Sequence, residues 1–148
     1  MRKYYPVGLQ IEGRRSLVVG GGKVAQRKVA RLIAFGAKVK VVSPEITCRL
    51  RTWAGEGRIL VQKRKFTPGA MRGADFIFAA TNDPRINSRI AKAAKQKGIW
   101  VNVANPGKDS SFILPALIEK KGLTVSVSTH GKSPGLAKKI KEKLKKVL

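Results

Sequence analysis

Residues Ser16 to Ala25 read SLVVGGGKVA: a short apolar run, three consecutive glycines and the opening of a helix. Val18 and Val19 read as the end of a buried strand. Gly20, Gly22 and Ala25 fit the spacing G-x-G-x-x-A. In that pattern the first glycine makes a tight turn, the second lets a pyrophosphate approach the backbone, and the small third residue packs helix on strand. The helix then points free N–H groups and its positive dipole end at the phosphates. Many glycine-rich turns bind nothing. The strand before this one and the helix after it are what turn the motif toward dinucleotide binding.

Working outward, Tyr4–Ile11 reads as a short lead-in strand that ends at a Glu12-Gly13 turn. The helix after Gly22 places Ala25, Val29, Leu32 and Ile33 on a core-facing stripe, with Arg27, Lys28 and Arg31 on the other side. Gly36 closes it. Lys38–Val42 reads as a second strand, followed by a helix through Leu50 and Trp53. Ile59–Gln62 is a third strand, and Asp75–Ala80, nearly all apolar, is a fourth of the buried parallel kind. Asp83 then caps a helix with Pro84 at its first position. Its buried stripe is Ile86, Ile90, Ala93 and Ala94, and Trp100–Val103 is a fifth strand.

This alternation specifies a Rossmann-like, doubly wound parallel α/β sheet with right-handed crossovers. After Asn105 the pattern changes. Phe112–Ile118 and Leu123–Ser128 read as a β-hairpin joined across Glu119–Gly122. Pro134 opens a basic amphipathic helix with Leu136, Ile140, Leu144 and Val147 on one side. The expected division is a nucleotide-binding domain over residues 1–112 and a small α+β segment over residues 113–148. A hairpin and one helix cannot bury both their faces, so the second segment is expected to complete its core against another chain, as a dimerisation segment.

The 148 residues suit one ordinary domain with an appendage, and a hydrophobic fraction of 43% is enough for a core. No apolar run reaches the roughly 18 residues of a membrane span, and the stretch MRKYYPVGLQ lacks the continuous apolar segment of a secretory signal. One cysteine, Cys48, excludes an internal disulfide framework and a cysteine zinc site. A soluble, cytoplasmic protein without a metal site is the expectation. The 32 Lys and Arg stand against eight Asp and Glu, a formal net charge of +24. Such a balance concentrates anionic partners. Nucleic acid is not favoured, because the cations spread along the whole chain and aromatic residues make up only 6%, too few for a stacking surface. A solvated lysine-rich surface or a polyanionic small molecule accounts for the charge equally well.

In such sheets the ligand sits beyond the carboxyl ends of the strands, at the topological switch point. The loops expected there are Gly20–Val24, Ser43–Glu45, Thr81–Asp83 and Asn105–Asp109. The candidate cofactor residues are Gly20, Gly22, Lys23, Val24, Ser43, Pro44, Glu45, Thr81 and Asn82. Lys23 would act as a cation near the phosphates. Ser43 holds the place where a carboxylate commonly accepts from the ribose hydroxyls of NAD, and Glu45 follows two residues later.

Four stretches together resemble a known family: YYPVGLQIEGRRSLVVGGGKVAQRK, AATND, VNVANP and SSFILPALIEKKGLTVSVSTHGKSPGLAKKIKEKL. They look like the dehydrogenase module of siroheme synthase, the precorrin-2 dehydrogenase / sirohydrochlorin ferrochelatase family. FILPALI and SVSTHGKSPGLA are far more specific than the glycine motif. The resemblance covers essentially the whole chain. It implies NAD as cofactor, a homodimer interlocked through the C-terminal segment, and oxidation of precorrin-2 to sirohydrochlorin. It also implies a further helical domain, most of which lies beyond Leu148 in the family. The implied substrate bears eight carboxylates, which suits a basic cleft. Lys132 and the helix Lys138–Lys146 are candidate anion contacts.

One departure matters. Where the family usually has aspartate after the fifth strand, this chain has Asn105, which at neutral pH neither takes a proton nor supplies an anionic ligand to a metal. Asn105 and His130, the single histidine, are the catalytic candidates, and Asp109 is a second substitute base. Dehydrogenation needs mainly positioning against the cofactor, so metal insertion is the activity put in question. Two alternatives stay open: a bifunctional dehydrogenase and ferrochelatase, and a non-catalytic NAD- or tetrapyrrole-binding protein. Thr129 matches a position where some members carry a modifiable serine. Ser133-Pro134 reads as the cap and first residue of the last helix.

Overall fold

The computed structural model describes residues 4–104 and 109–148, which fall into two compact units. One spans residues 8–111; the other comprises residues 112–148 with the N-terminal residues through Val7.

The larger unit is built from β1 (Arg15–Val19), α1 (Lys23–Ala34), β2 (Lys38–Val42), α2 (Cys48–Gly55), β3 (Ile59–Gln62), a 3₁₀ turn (Pro68–Met71), β4 (Phe76–Ala79), α3 (Pro84–Gln96) and β5 (Trp100–Val103). Its five strands are all parallel, in the order β3-β2-β1-β4-β5. The order reverses between β1 and β4, which are hydrogen-bonded neighbours with Val19 opposite Ala79. That is the switch point of a doubly wound, Rossmann-like sheet, and it places the loops after β1 and β4 side by side.

The alternation of side chains along each strand sends residues to two layers. On one face Leu17, Val19, Val42, Ile77, Ala79 and Val101 pack against Ala70 and Met71 of the 3₁₀ turn and Ile90, Ala91 and Ala94 of α3. Helix α1 packs on β1 and β2 and buries Ala25, Val29 and Leu32, while α2 packs on β3 and buries Leu50 and Trp53. Arg49 and Arg58 lie over the Trp53 ring at 5.1 and 5.7 Å from its centroid.

The smaller unit holds β6 (Ala116–Lys120), β7 (Leu123–Val127) and α4 (Pro134–Leu144), with α4 packed on both strands. β6 and β7 are antiparallel, Lys120 pairing with Leu123. The two-residue turn between them has φ of 46° at Lys121 and 80° at Gly122. Positive φ at both positions is the type I′ requirement, which glycine meets freely and lysine at some cost.

Beyond one-residue shifts at the ends of β1, β4 and β7, four details differ from the sequence expectations. Tyr4–Ile11 forms no strand: Pro6 has no N–H to give a ladder and Gly8 has no side chain to pack. β6 starts at Ala116 rather than Phe112, because Pro115 cannot donate and the ladder begins directly after it. In α3 the buried stripe is Asn87, Ile90, Ala91 and Ala94, with Ile86 exposed, so the helix is rotated to bury an asparagine. Lys28, expected on the solvent face of α1, is turned onto the sheet, where its Nζ donates to Asn102 Oδ1 at 2.7 Å.

Candidate functional site

The three glycines do different work. Gly20 has φ of +121°, and a Cβ there would run into the carbonyl of Ala80 at the end of β4. Its N–H donates to Val42 O at 3.0 Å, so this residue knits together the ends of β1, β2 and β4. A Cβ on Gly21 would strike the carbonyl of Glu45, and Gly21 O accepts from Thr47 N at 3.0 Å, drawing the loop after β2 against the glycine turn. Gly22 has nothing within 4 Å of where its Cβ would be. It is the N-cap of α1 with no side-chain hydrogen bond, so the first N–H groups of the helix face an open, uncapped space. This is the geometry of a phosphate cradle. Beside it Val24 is 40% exposed, an apolar side chain left uncovered at the mouth of the loop.

The loop after β2 is held tightly. Ser43 is buried, its N–H donates to Gln62 O, and its hydroxyl donates to Glu45 O at 2.7 Å. Pro44 and Glu45 are exposed. A groove lined by Lys23, Gln26, Arg27, Thr47, Cys48 and Arg49 lies between the first turns of α1 and α2. Thr47 caps α2 by accepting from Leu50 N, and donates to Gln26 Oε1 at 2.7 Å, which ties the two helix starts together. Three cations, Lys23, Arg27 and Arg49, therefore line the groove beside the glycine loop.

The loop after β4 is set by Asn87, a residue that pattern reading missed. Its Nδ2 donates to Thr81 O at 3.0 Å, and its Oδ1 accepts from Thr81 N at 3.0 Å and Thr81 Oγ1 at 2.7 Å. This buried amide clamps Thr81 from both sides and leaves Asn82 exposed at the tip. The signal was available: an asparagine between Ile86 and Ile90, four residues after the Asp83 cap, falls on a helix face that has to be buried. Asp83 itself accepts from Arg85 N at 2.8 Å.

Asn105 lies outside the described residues. The chain on either side of it is firmly attached: Ala104 N donates to Ala79 O, and Ser110 Oγ and Ser111 Oγ accept from Val103 N and Val101 N. Asp109 accepts from Ser88 Oγ at 2.9 Å, so its carboxylate pins this segment to α3. His130 belongs to the smaller unit. There it adopts φ of 53°, its N–H donates to Ser128 Oγ, and its ring stacks on Tyr4 at 6.2 Å. Thr129 Oγ1 donates to Ser133 O and accepts from Ser133 N, so the hydroxyl is committed to holding the start of α4. Among the described residues no group of three or more His, Cys, Asp or Glu could hold a metal ion, and no helix is long and apolar enough to cross a membrane.

A family model described as NAD(P)-binding matches residues 7–116, and one described as sirohaem biosynthesis protein central matches residues 120–146. The chain is 38% identical over 146 residues to a siroheme synthase of Nitrosococcus oceani, and 41% identical over 145 residues to siroheme synthase 2 of Aeromonas salmonicida. These matches cover 99% and 98% of this chain but 31% and 30% of the relatives, so it spans about a third of their length. Among solved structures it is similar to SirC, precorrin-2 dehydrogenase, with 33% identity and a TM-score of 0.85 over 98% of this chain and 71% of that one. From the glycine loop, the parallel sheet around it and these matches, the chain belongs to the precorrin-2 dehydrogenase / sirohydrochlorin ferrochelatase family, that of the dehydrogenase module of siroheme synthase.

Proposed function

We propose that this protein dehydrogenates precorrin-2 to sirohydrochlorin with NAD⁺ as the acceptor, as a cytoplasmic homodimer. The observation that carries the reading is the open N-cap at Gly22 beside the exposed Val24, on a loop whose other glycines are consumed by packing. NAD would lie over Gly20–Val24, with Lys23 near its phosphates, its adenosine ribose at Ser43, Pro44 and Glu45, and Thr81 and Asn82 on the nicotinamide side. The cofactor, when bound, supplies hydride acceptance. The chain would supply the rest: helix N–H groups for the phosphates, a Thr81 loop held in place by Asn87, and a basic surface that captures a substrate carrying eight carboxylates. Dehydrogenation of the substrate would give up one hydride, to that acceptor, and one proton.

In this reading residues 1–112, apart from the N-terminal residues that group with the smaller unit, form the NAD-binding domain and residues 113–148 the dimerisation segment. Within the smaller unit Leu136 and Ile140 of α4 remain 49% and 36% exposed, which supports a partner chain covering that helix. Asn105, with no acidic group, weighs against strong metal insertion, and the Tyr4 stack on His130 gives no support to that histidine as a base. A second reading of the cofactor, NADP⁺, is favoured by one observation: Lys23, Arg27 and Arg49 line the groove where an extra ribose phosphate would sit. Incubating the protein with precorrin-2 and either NAD⁺ or NADP⁺ while following reduced-cofactor absorbance tests both points. Formation of NADH is the expected result. Preference for NADP⁺ would replace the cofactor, and no reduction of either would overturn the activity. Changing Asn105 to Asp should raise iron or cobalt insertion above that of the natural protein.

A further inference from the structure

A phosphate-binding role does not explain the position of Lys28. It leaves α1 on the sheet side and reaches past β1, its Nζ 5.8 Å from the centroid of the Phe78 ring on β4 and 2.7 Å from Asn102 Oδ1 on β5. Phe78 and Asn102 are register partners, and Asn102 is buried. Among the described residues the charges acting on Lys28 are Arg31 and Arg27 of its own helix, both repulsive, while β4 and β5 offer it a ring face and an amide oxygen. Burying an ammonium against two cations is costly, and a methionine would fill the same space without that cost. A bond to a charged donor is in return stronger and more directional than one between neutral groups.

We propose that Lys28 is a positioning residue: its ammonium clamps Asn102 across the sheet and holds the carboxyl end of β5 in register with the helix that receives the cofactor phosphates. The functional part of this rests on the dehydrogenase reading above. Helix α1 starts at the glycine loop and Asn102 is the third residue of β5, so the clamp ties the helix that would receive the cofactor phosphates to the carboxyl end of that strand. The glycine loop has its own anchors to Val42 and Thr47, so breaking the clamp should disturb the reacting geometry far more than cofactor binding.

Two measurements on the full-length protein test the clamp. The first is the side-chain amide signal of Asn102 followed by NMR against pH, without substrate. Burial and the neighbouring arginines bring the Lys28 pKa down to about 8. The Asn102 signal should titrate with that midpoint in the natural protein and stay flat in Lys28→Met; a flat natural signal, or a titration that survives in the variant, overturns the clamp. The second is steady-state oxidation of precorrin-2. Lys28→Met and Asn102→Leu should each lower kcat about tenfold with the KM for NAD⁺ within about threefold, the double variant should be no worse than either, and Lys28→Arg should recover most of the loss. Additive losses, or losses confined to the NAD⁺ KM, overturn the positioning role. If Lys28→Met does not fold, Lys28→Arg, whose guanidinium stays charged across the range and should leave the Asn102 signal flat, decides the first measurement, and Asn102→Leu with Lys28→Arg decides the second. A natural protein inert toward precorrin-2 removes the dehydrogenase reading, and the amide titration still decides the clamp.

Discussion

The two units of this chain solve the burial problem differently. In residues 8–111 a five-stranded sheet has helices or a 3₁₀ turn against both faces, and whole side chains such as Leu17, Ile77, Ile90 and Val101 disappear from solvent. In residues 112–148 two strands and one helix bury, among the described residues, only Ile118 and Ala137. Both parts have apolar residues at the right periodicity. What separates them is the number of layers: a sheet covered twice closes its own core, whereas a hairpin covered once exposes its second face. The larger unit is therefore expected to hold its shape alone and to carry the cofactor, and the smaller one to depend on a partner.

The largest effect should come from the joint of the larger unit. Gly20→Val would drive a side chain into the Ala80 carbonyl from a left-handed backbone, at a cost of roughly 3–5 kcal/mol. Thermal unfolding should show a marked drop in Tm together with loss of NAD⁺ binding; an unchanged melt would mean that the β1–β4 junction is looser than it looks. Gly22→Asp separates binding from folding, since its side chain meets open space. NAD⁺ affinity measured by calorimetry should fall about 100-fold or more while Tm hardly moves, because the carboxylate repels the phosphates.

Asn87→Leu leaves Thr81 N and O without their partner and should cost about 3 kcal/mol in chemical denaturation. A cost near zero would remove Asn87 as the support of that loop. The reverse test falls on the smaller unit. Leu136→Asp with Ile140→Asp should shift sedimentation from dimer to monomer and leave NAD⁺ binding intact, sharpening the contrast between the units; a natural protein that is monomeric at micromolar concentration would break it.

The smallest effect is a pH slope. The folded pKa of Lys28 is near 8 against 10.5 for an ordinary lysine. Between those values the unfolded chain holds a proton that the folded one has lost, so stability rises with pH across that window, and the penalty of burying the charge is fully present below it. A rise of about 1–2 kcal/mol is expected for this group, and Lys28→Met should abolish it in urea titrations run at both ends of the window.

Much of this molecule was legible in its residues. β2, β3 and β5 fall at their expected limits, the Asp83-Pro84 and Ser133-Pro134 caps open α3 and α4, and the glycine loop sits between a strand and a helix as its spacing requires. These features are local: periodicity of 2 or 3.6, a capping side chain, a missing N–H. The errors are also physical. Pro115 delays β6, Pro6 and Gly8 prevent a lead-in strand, and α3 turns to bury Asn87.

What the sequence determined by itself was the order and type of the elements and the presence of a glycine turn between a strand and a helix, because each depends on contacts within a few residues. What only the tertiary structure decided was which atoms far apart in the chain meet. Gly20 is forced by the Ala80 carbonyl, Gly21 by Glu45, and Lys28 leaves solvent to reach an amide 74 residues away. No local pattern encodes such pairings. They follow from the strand order β3-β2-β1-β4-β5, which brings the loops after β1 and β4 together and lays β5 within reach of α1.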